Sequence, residues 1–597
     1  MDVIGVVTVA LSLAGLALAF GTALRIQLGA SLSVSERCCT AWGLTWISFG
    51  AVAFPLARLG VFRIGTSIVA GTGLCLLVWQ LVGPQRKFAE LAYWTHDPLT
   101  RRIWKVQGLA SALLIGLVSI QRTVTVMGWR GDWEEHWQRT QWLIVRGNLA
   151  TTFAGGYAVP ARPPLTNAVV AGMVAPFGFT WHSYLIALGL VSSMVVLPLM
   201  TLAGHSALRM NFWVNLLLVV STPALVVHTM FPWTKLSSAC LVLSAFVVHR
   251  RVTRRYASRL ALLEGVLLAG AILSHYSGVV FAVVAGIDVL RRQVIGSPQR
   301  SWRNLARPFW SGLGAAIVLG PWVAWSYRHY GSGTWDQTST VSTASGPLLL
   351  RLPANVFANL FIWAAEPTKS SVLTARDTLF AIVATNAVGA AGFSALIAIR
   401  AIKRQLSAWS VALVIIAFVT GTATLPEAIR GGAHVVLVPL SLCACSCLLV
   451  VFPTLGLRHK RAVIGGAVVQ WLLLAGFHAY LQMYPNPNDS RYLAFDSTRR
   501  RSLNVRTIGE SLGRPVGQLV WLAIVLIPLT GVARRGLRYS DNSSAQKLNS
   551  VSDHICDAAS TTDVPSPPAV VDSVGSTRTP VSAPNTAAVE SVNASRS

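Results

Sequence analysis

Asp132, Glu134, Glu135 and His136 stand within five residues, with Trp133 among them and Trp137 next in line. Carboxylates and an imidazole at that spacing can accept a proton, position a hydroxyl or hold a divalent cation. Further on, Arg162 precedes Pro163-Pro164-Leu165. A guanidinium presents donors that match phosphate oxygens in pairs. Lys235 ends the stretch Phe231-Pro232-Trp233-Thr234, and His275 lies in Ser274-His275-Tyr276-Ser277-Gly278. Taken alone, these residues also fit a solvated acidic loop with interfacial aromatics, an Arg anchor, a snorkelling Lys and a hydrogen-bonded His at a helix end.

The elements that must hold them are apolar. Of 597 residues, 53% are hydrophobic and 12% charged, about half the charged share of a soluble chain. Runs approaching or reaching the roughly 20 apolar residues of a membrane span recur throughout, from 3–23 to 516–533, and predict about fifteen transmembrane helices. The first run lacks a basic leader and a small-residue cleavage site, so it is expected to be retained. The expected fold is therefore an all-α polytopic membrane protein.

Lys and Arg number 49 against 22 Asp and Glu, a formal charge of +27. The loops at 86–105, 250–259, 291–307, 400–404, 458–461 and 534–538 collect the cations, and the span order puts them all on one side. Asp132, Glu134, Glu135, Asp336, Glu366, Asp377, Glu427, Asp489, Asp496 and Glu510 fall on the other. Cytoplasmic loops facing an anionic bilayer account for the charge, and no nucleic acid is needed. The chemistry then belongs on the extracytoplasmic side of the cell membrane. Arg491, Arg499, Arg500, Arg501 and Arg506 break the rule, which fits either a lipid-phosphate or anionic-glycan site or a miscounted span.

The order of several motifs resembles the GT-C superfamily of membrane glycosyltransferases, which includes protein O-mannosyltransferases and aminoarabinose transferases. Those enzymes place an Asp after a transmembrane helix, then a helical stretch, then a basic residue before a Pro-Pro-Leu-like turn and a surface helix. Asp132, the segment to Gly147, Arg162-Pro163-Pro164-Leu165 and the apolar stretch 166–178 follow that order. His275-Tyr276-Ser277-Gly278, Gly320-Pro321-Trp322 with Tyr330-Gly331, and Arg430 with His434 and Pro439 extend it more faintly.

The resemblance implies a GT-C-like core with interfacial loop helices, and transfer of a sugar from a polyprenyl-phosphate donor to an extracytoplasmic acceptor (glycan, lipid or protein) with inversion. It implies Asp132 as general base and Arg162 on the donor phosphate. Glu134, Glu135, Lys235, His275 and Arg430 are candidates for binding substrate. The chain departs from the pattern where Trp133 follows the Asp and where 231–235 replaces a second acidic site. Metal ligands are therefore unassigned; a divalent cation at Glu134, Glu135 and His136 stays open, and no other cofactor is implied.

The expected divisions are three N-terminal helices (1–105), a GT-C-like core (106–330) whose first catalytic loop is 129–182, C-terminal helices and outer loops (331–538), and a disordered cytoplasmic tail (539–597). The cysteines are expected to pack as small hydrophobes. A polytopic transporter or lipid flippase is the competing reading, which calls for internal repeats and mid-membrane charges. The chain shows no fixed-period repeat.

Overall fold

The computed structural model describes residues 2–83, 90–120, 132–153, 156–230, 233–251, 257–290, 305–332, 392, 438–483, 491–492, 503–504 and 515–535. The side chains of Asp132 and Trp133 lie outside that description, as do Arg430, the apolar runs at 379–399 (Gly392 apart) and 408–425, and the tail. The chain divides into two units, 1–539 and 540–597, and the described residues all belong to the first.

The N-terminal helices are α1 (Asp2–Leu28), α2 (Val34–Leu59) and α3 (Phe62–Val82), followed by α4 (Glu90–His96) and α5 (Pro98–Ser119). Ser33 and Glu36 form a reciprocal cap that starts α2. Asp97 caps α5, with Pro98 in the first turn, so this helix starts well before the apolar run that reveals it at 108. A Cβ at Gly15 would collide with the Gly73 carbonyl, which is how α1 and α3 come so close.

Then come α6 (Asp132–Ile144), the two-residue strands β1 (Thr152–Phe153) and β2 (Tyr157–Ala158), α7 (Leu165–Val174), α8 (Trp181–Ser193) and α9 (Val196–Ala203). The strands pair antiparallel as a short hairpin. Next are α10 (Phe212–Val220), α11 (Pro223–Met230), α12 (Lys235–His249), α13 (Ala257–Ser274), α14 (Gly278–Leu290) and α15 (Ala306–Tyr330). The C-terminal part contributes α16 (Val438–Val451), α17 (Leu457–Met483) and α18 (Pro515–Arg535), with strands β3 (Arg491–Tyr492) and β4 (Leu503–Asn504) paired between the last two.

Among the described residues, five helical segments are long and apolar enough to cross a bilayer: 4–31, 34–59, 62–82, 181–207 and 306–330. The pair α10 and α11 qualifies as a sixth span bent by 59°, broken where Pro223 starts a new helix. The 181–207 segment is mostly buried, whereas α3 and α15 leave Ile64, Ile68, Phe309 and Ile317 exposed, as lipid-facing helices do. A surface helix was expected at 166–178. Instead every residue of α7 is buried, because Gly50 and Gly172 let it sit against α2.

The helices carry two polar ends. At one end Glu90 binds Arg25 and Arg37, Glu36 binds Arg251, and His249 bridges Glu264 and Asp288 with Arg307 beside it. The opposite end holds α6, the hairpin and the turn between α13 and α14. Two rungs set the antiparallel register of α12 and α13: Ser238 donates to the Ala271 carbonyl, and His249 meets Glu264. Lys235 and His275 therefore belong to the same end as α6.

Candidate active site

The segment that opens the site is a buried polar helix. α6 reads DWEEHWQRTQWLI, yet Glu135, His136, Gln138, Arg139 and Thr140 are all buried. Buried polar side chains must find partners. Trp137 anchors the helix against Phe179, stacked at 4.1 Å, and edge-on against Trp181 and Tyr184. It is thus a core residue and not the interfacial one its composition suggests.

Glu135 is the hub. Its carboxylate, with no solvent exposure, meets Arg139 at 2.7 Å and Arg162 at 3.2 Å. Arg139 also donates to the carbonyls of Val159 (2.6 Å) and Ala158 (2.8 Å), and its guanidinium lies 4.3 Å above the Phe153 ring. One side chain thereby joins α6 to both strands of the hairpin. Arg162 lies over Tyr157 at 5.1 Å and is the more open of the two cations, 17% exposed against 5%. The solvated acidic loop is excluded for Glu135.

Burial pushes the Glu135 carboxyl up, but the Arg139 and Arg162 guanidiniums and nearby His136 outweigh it and leave it below its ordinary value. It stays ionised and is a poor base. Both of its oxygens are engaged by guanidiniums, which is not the state of a cation ligand. Among the described residues, no group of three His, Cys, Asp or Glu is arranged to hold a metal ion.

The remaining candidates fall around this hub. Asp132 opens α6, three residues and so about one turn before Glu135. Glu134 is partly exposed, and its Oε1 accepts from Gln138 at 3.2 Å. His136 Nδ1 lies 3.4 Å from the Asn167 side-chain nitrogen on α7. His275 Nδ1 accepts from the Ser277 backbone N–H at 3.2 Å, a helix-end turn. Next to it, Tyr276 donates to the Pro160 carbonyl at 2.7 Å and accepts from Trp322 at 3.4 Å. Burial raises the Tyr276 phenol, so it remains a neutral donor.

Lys235 belongs to a neighbouring cluster. Its Nζ lies 3.7 Å from the Trp233 ring centre, and Trp233 stacks on His228. The chain after α6 is tied down from two further helices. Arg58 at the end of α2 donates to the Gly147 carbonyl, and Tyr330 at the end of α15 donates to that of Leu149. Arg146 adopts φ 52° here, and the Trp142 ring fills the space a Gly147 side chain would need.

Reading the residues missed Arg139 and Tyr276. Arg139 had a usable signal, the i, i+4 spacing to Glu135. Tyr276 stood in the His275-Tyr276-Ser277-Gly278 motif, but its partner had no signal, being a backbone carbonyl 116 residues away.

No family model matches the chain, and no curated protein does. It is similar to two crystal structures of ArnT from Cupriavidus metallidurans, one bound to undecaprenyl phosphate and one in the apo state. They are 14% and 15% identical to it, each match covering 72% of this chain and 77% or 76% of ArnT, with a TM-score of 0.42 in both cases.

Proposed function

We propose that this chain is a membrane glycosyltransferase that takes a sugar from a polyprenyl-phosphate carrier and passes it, with inversion, to an extracytoplasmic acceptor. The observation that carries this reading is the Glu135–Arg162 ion pair, closed from behind by Arg139. It ties the Arg before Pro-Pro-Leu to the helix that Asp132 opens, the two motifs whose order resembles GT-C enzymes.

In this mechanism the Asp132 carboxylate takes the proton of the acceptor hydroxyl as its oxygen attacks the anomeric carbon. The bond from that carbon to the phosphate oxygen breaks, and polyprenyl phosphate leaves with the electron pair. Arg162 offsets the charge gathering on that phosphate. Glu135 acts as a positioning residue: it holds Arg162 and does not take the proton. Glu134, Lys235 and His275 are assigned to binding substrate, and Arg430 is assigned the same role on motif order. A divalent cation at Glu134 and His136 would have to be held without Glu135, whose oxygens are taken.

The proposal keeps the expected topology of about fifteen spans, with the basic loops and the tail in the cytoplasm, α6 outside and divisions at 105, 330 and 538. A transporter would use the bent α10–α11 pair, but it also needs a matching break in a repeated half, and among the described residues one such pair is present. The test uses purified protein with a panel of radiolabelled polyprenyl-phosphate sugars and envelope-derived acceptors. Labelled product with release of polyprenyl phosphate supports the proposal. Flipping of the carrier across proteoliposomes without bond cleavage would overturn it.

A further inference from the structure

At the end of the molecule opposite Glu135, the N-terminal helices line a half-open cavity of about 420 Å³. α2 shows the separation: Trp42, near its start, lines the cavity, while Arg58, near its other end, holds the chain after α6. The span between them is about 24 Å of helix. The walls are apolar, built from Ala14 and Leu18 of α1 together with Trp42 and Trp104, and Arg101 and Lys105 line the exposed part. Arg101 and Lys105 are one helical turn apart on α5 and so project from one face.

Neighbouring acids are already engaged. Glu90 is held by Arg25 at 3.2 Å, by Arg37 at 3.0 Å and by the Trp94 indole at 3.0 Å. Asp97 caps α5 through Thr100. Trp94 in turn stacks on Trp104, so the ion cluster fixes the aromatic wall. The result is an apolar chamber with two cations on its open side. Such a space is poorly suited to water and well suited to a chain of methylenes ending in an anion.

We propose that this cavity binds an anionic membrane phospholipid, with one acyl chain between α1 and the Trp42–Trp104 wall and the phosphate on Arg101 and Lys105. The volume lies in the range of a site for one small ligand, about 300–1,000 Å³. That suits a single acyl chain better than a polyprenyl carrier many isoprene units long. The site is independent of the sugar-transfer reading, and its test does not require activity.

The experiment titrates the full-length protein, purified in nonionic detergent, with phosphatidylglycerol and separately with phosphatidylcholine, counting bound lipid by native mass spectrometry. Phosphatidylglycerol is expected to occupy one site more tightly. In the Arg101→Ala, Lys105→Ala double variant that site should weaken roughly thirtyfold, each cation being worth about fivefold. Leu77 of α3 also lines the cavity, and Leu77→Trp, which fills it, should remove the site. The double variant changes exposed residues only, so it decides the matter if Leu77→Trp does not fold. Equal affinity of wild type for the two lipids, or unchanged phosphatidylglycerol binding in the double variant, would overturn the proposal. Displacement of phosphatidylglycerol from wild type by equimolar polyprenyl phosphate would overturn it in favour of a second carrier site.

Discussion

Glu135 and Arg162 are 27 residues apart in the chain and meet in a 3.2 Å ion pair, the carboxylate buried and the guanidinium partly open. Arg139 takes the other carboxylate oxygen. The buried acid thus connects a structural cation to the one proposed to meet substrate.

Removing Glu135 should cost both stability and donor binding. Glu135→Ala leaves two guanidiniums without their shared counter-ion, a loss of about 3–5 kcal/mol in comparable buried pairs. Glu135→Gln keeps the shape and should unfold a few degrees lower. Its donor KM should rise and its kcat fall together, because Arg162 is displaced while the base is untouched. Thermal unfolding in detergent and steady-state kinetics check this; a fall in kcat alone, with KM unchanged, would make Glu135 part of the chemistry.

The pH dependence of stability has a defined sign. The folded Glu135 carboxyl lies below its ordinary value, so its pairing contributes stability above the unfolded carboxylate value, about 4.3. That contribution is lost as pH falls through the lower folded value. Wild type should therefore lose more stability than Glu135→Gln between pH 6 and 3. Parallel unfolding curves over that range would contradict the assignment.

Arg162→Lys keeps the charge but loses the planar fork. Donor turnover is expected to drop at least tenfold with little change in thermal stability, since Arg162 is partly exposed. Arg139→Lys should do the reverse. It breaks up the contacts to the Ala158 and Val159 carbonyls, lowering the unfolding temperature first and activity through it. If Arg162→Lys were fully active, the phosphate would have to be held elsewhere.

Tyr276→Phe removes the bond to the Pro160 carbonyl and the longer one accepted from Trp322. A neutral hydrogen bond contributes about 1 kcal/mol net. The expected result is a small drop in unfolding temperature and a modest rise in donor KM, as the loop before Arg162 loosens. Loss of all activity in Tyr276→Phe would assign Tyr276 a direct part in the reaction.

Which of these features the amino-acid pattern reveals follows from range. Apolar runs marked α1, α2 and α3 because a long hydrophobic stretch is a local property. Hydropathy alone does not reveal the start of α5, since Asp97 and Pro98 set it through capping and not through apolar content. α7 looked like a surface helix, and its burial depends on Gly50 and Gly172 on different elements. Asp132 and Arg162 are assigned through motif order, whereas the ion pair between Glu135 and Arg162 needs the hairpin to turn the chain back. Arg430 and the Asp132 side chain lie outside the described residues, so their roles rest on motif order alone.

The central claim is that Asp132 takes the acceptor proton on a helix that Glu135 and Arg162 lock in place. The most direct measurement is transfer from a labelled polyprenyl-phosphate sugar by purified Asp132→Asn, with folding verified by its unfolding temperature. A loss of about 10²–10⁴-fold in kcat, with donor KM and stability near wild type, is the expected result. Wild-type turnover in Asp132→Asn would contradict it.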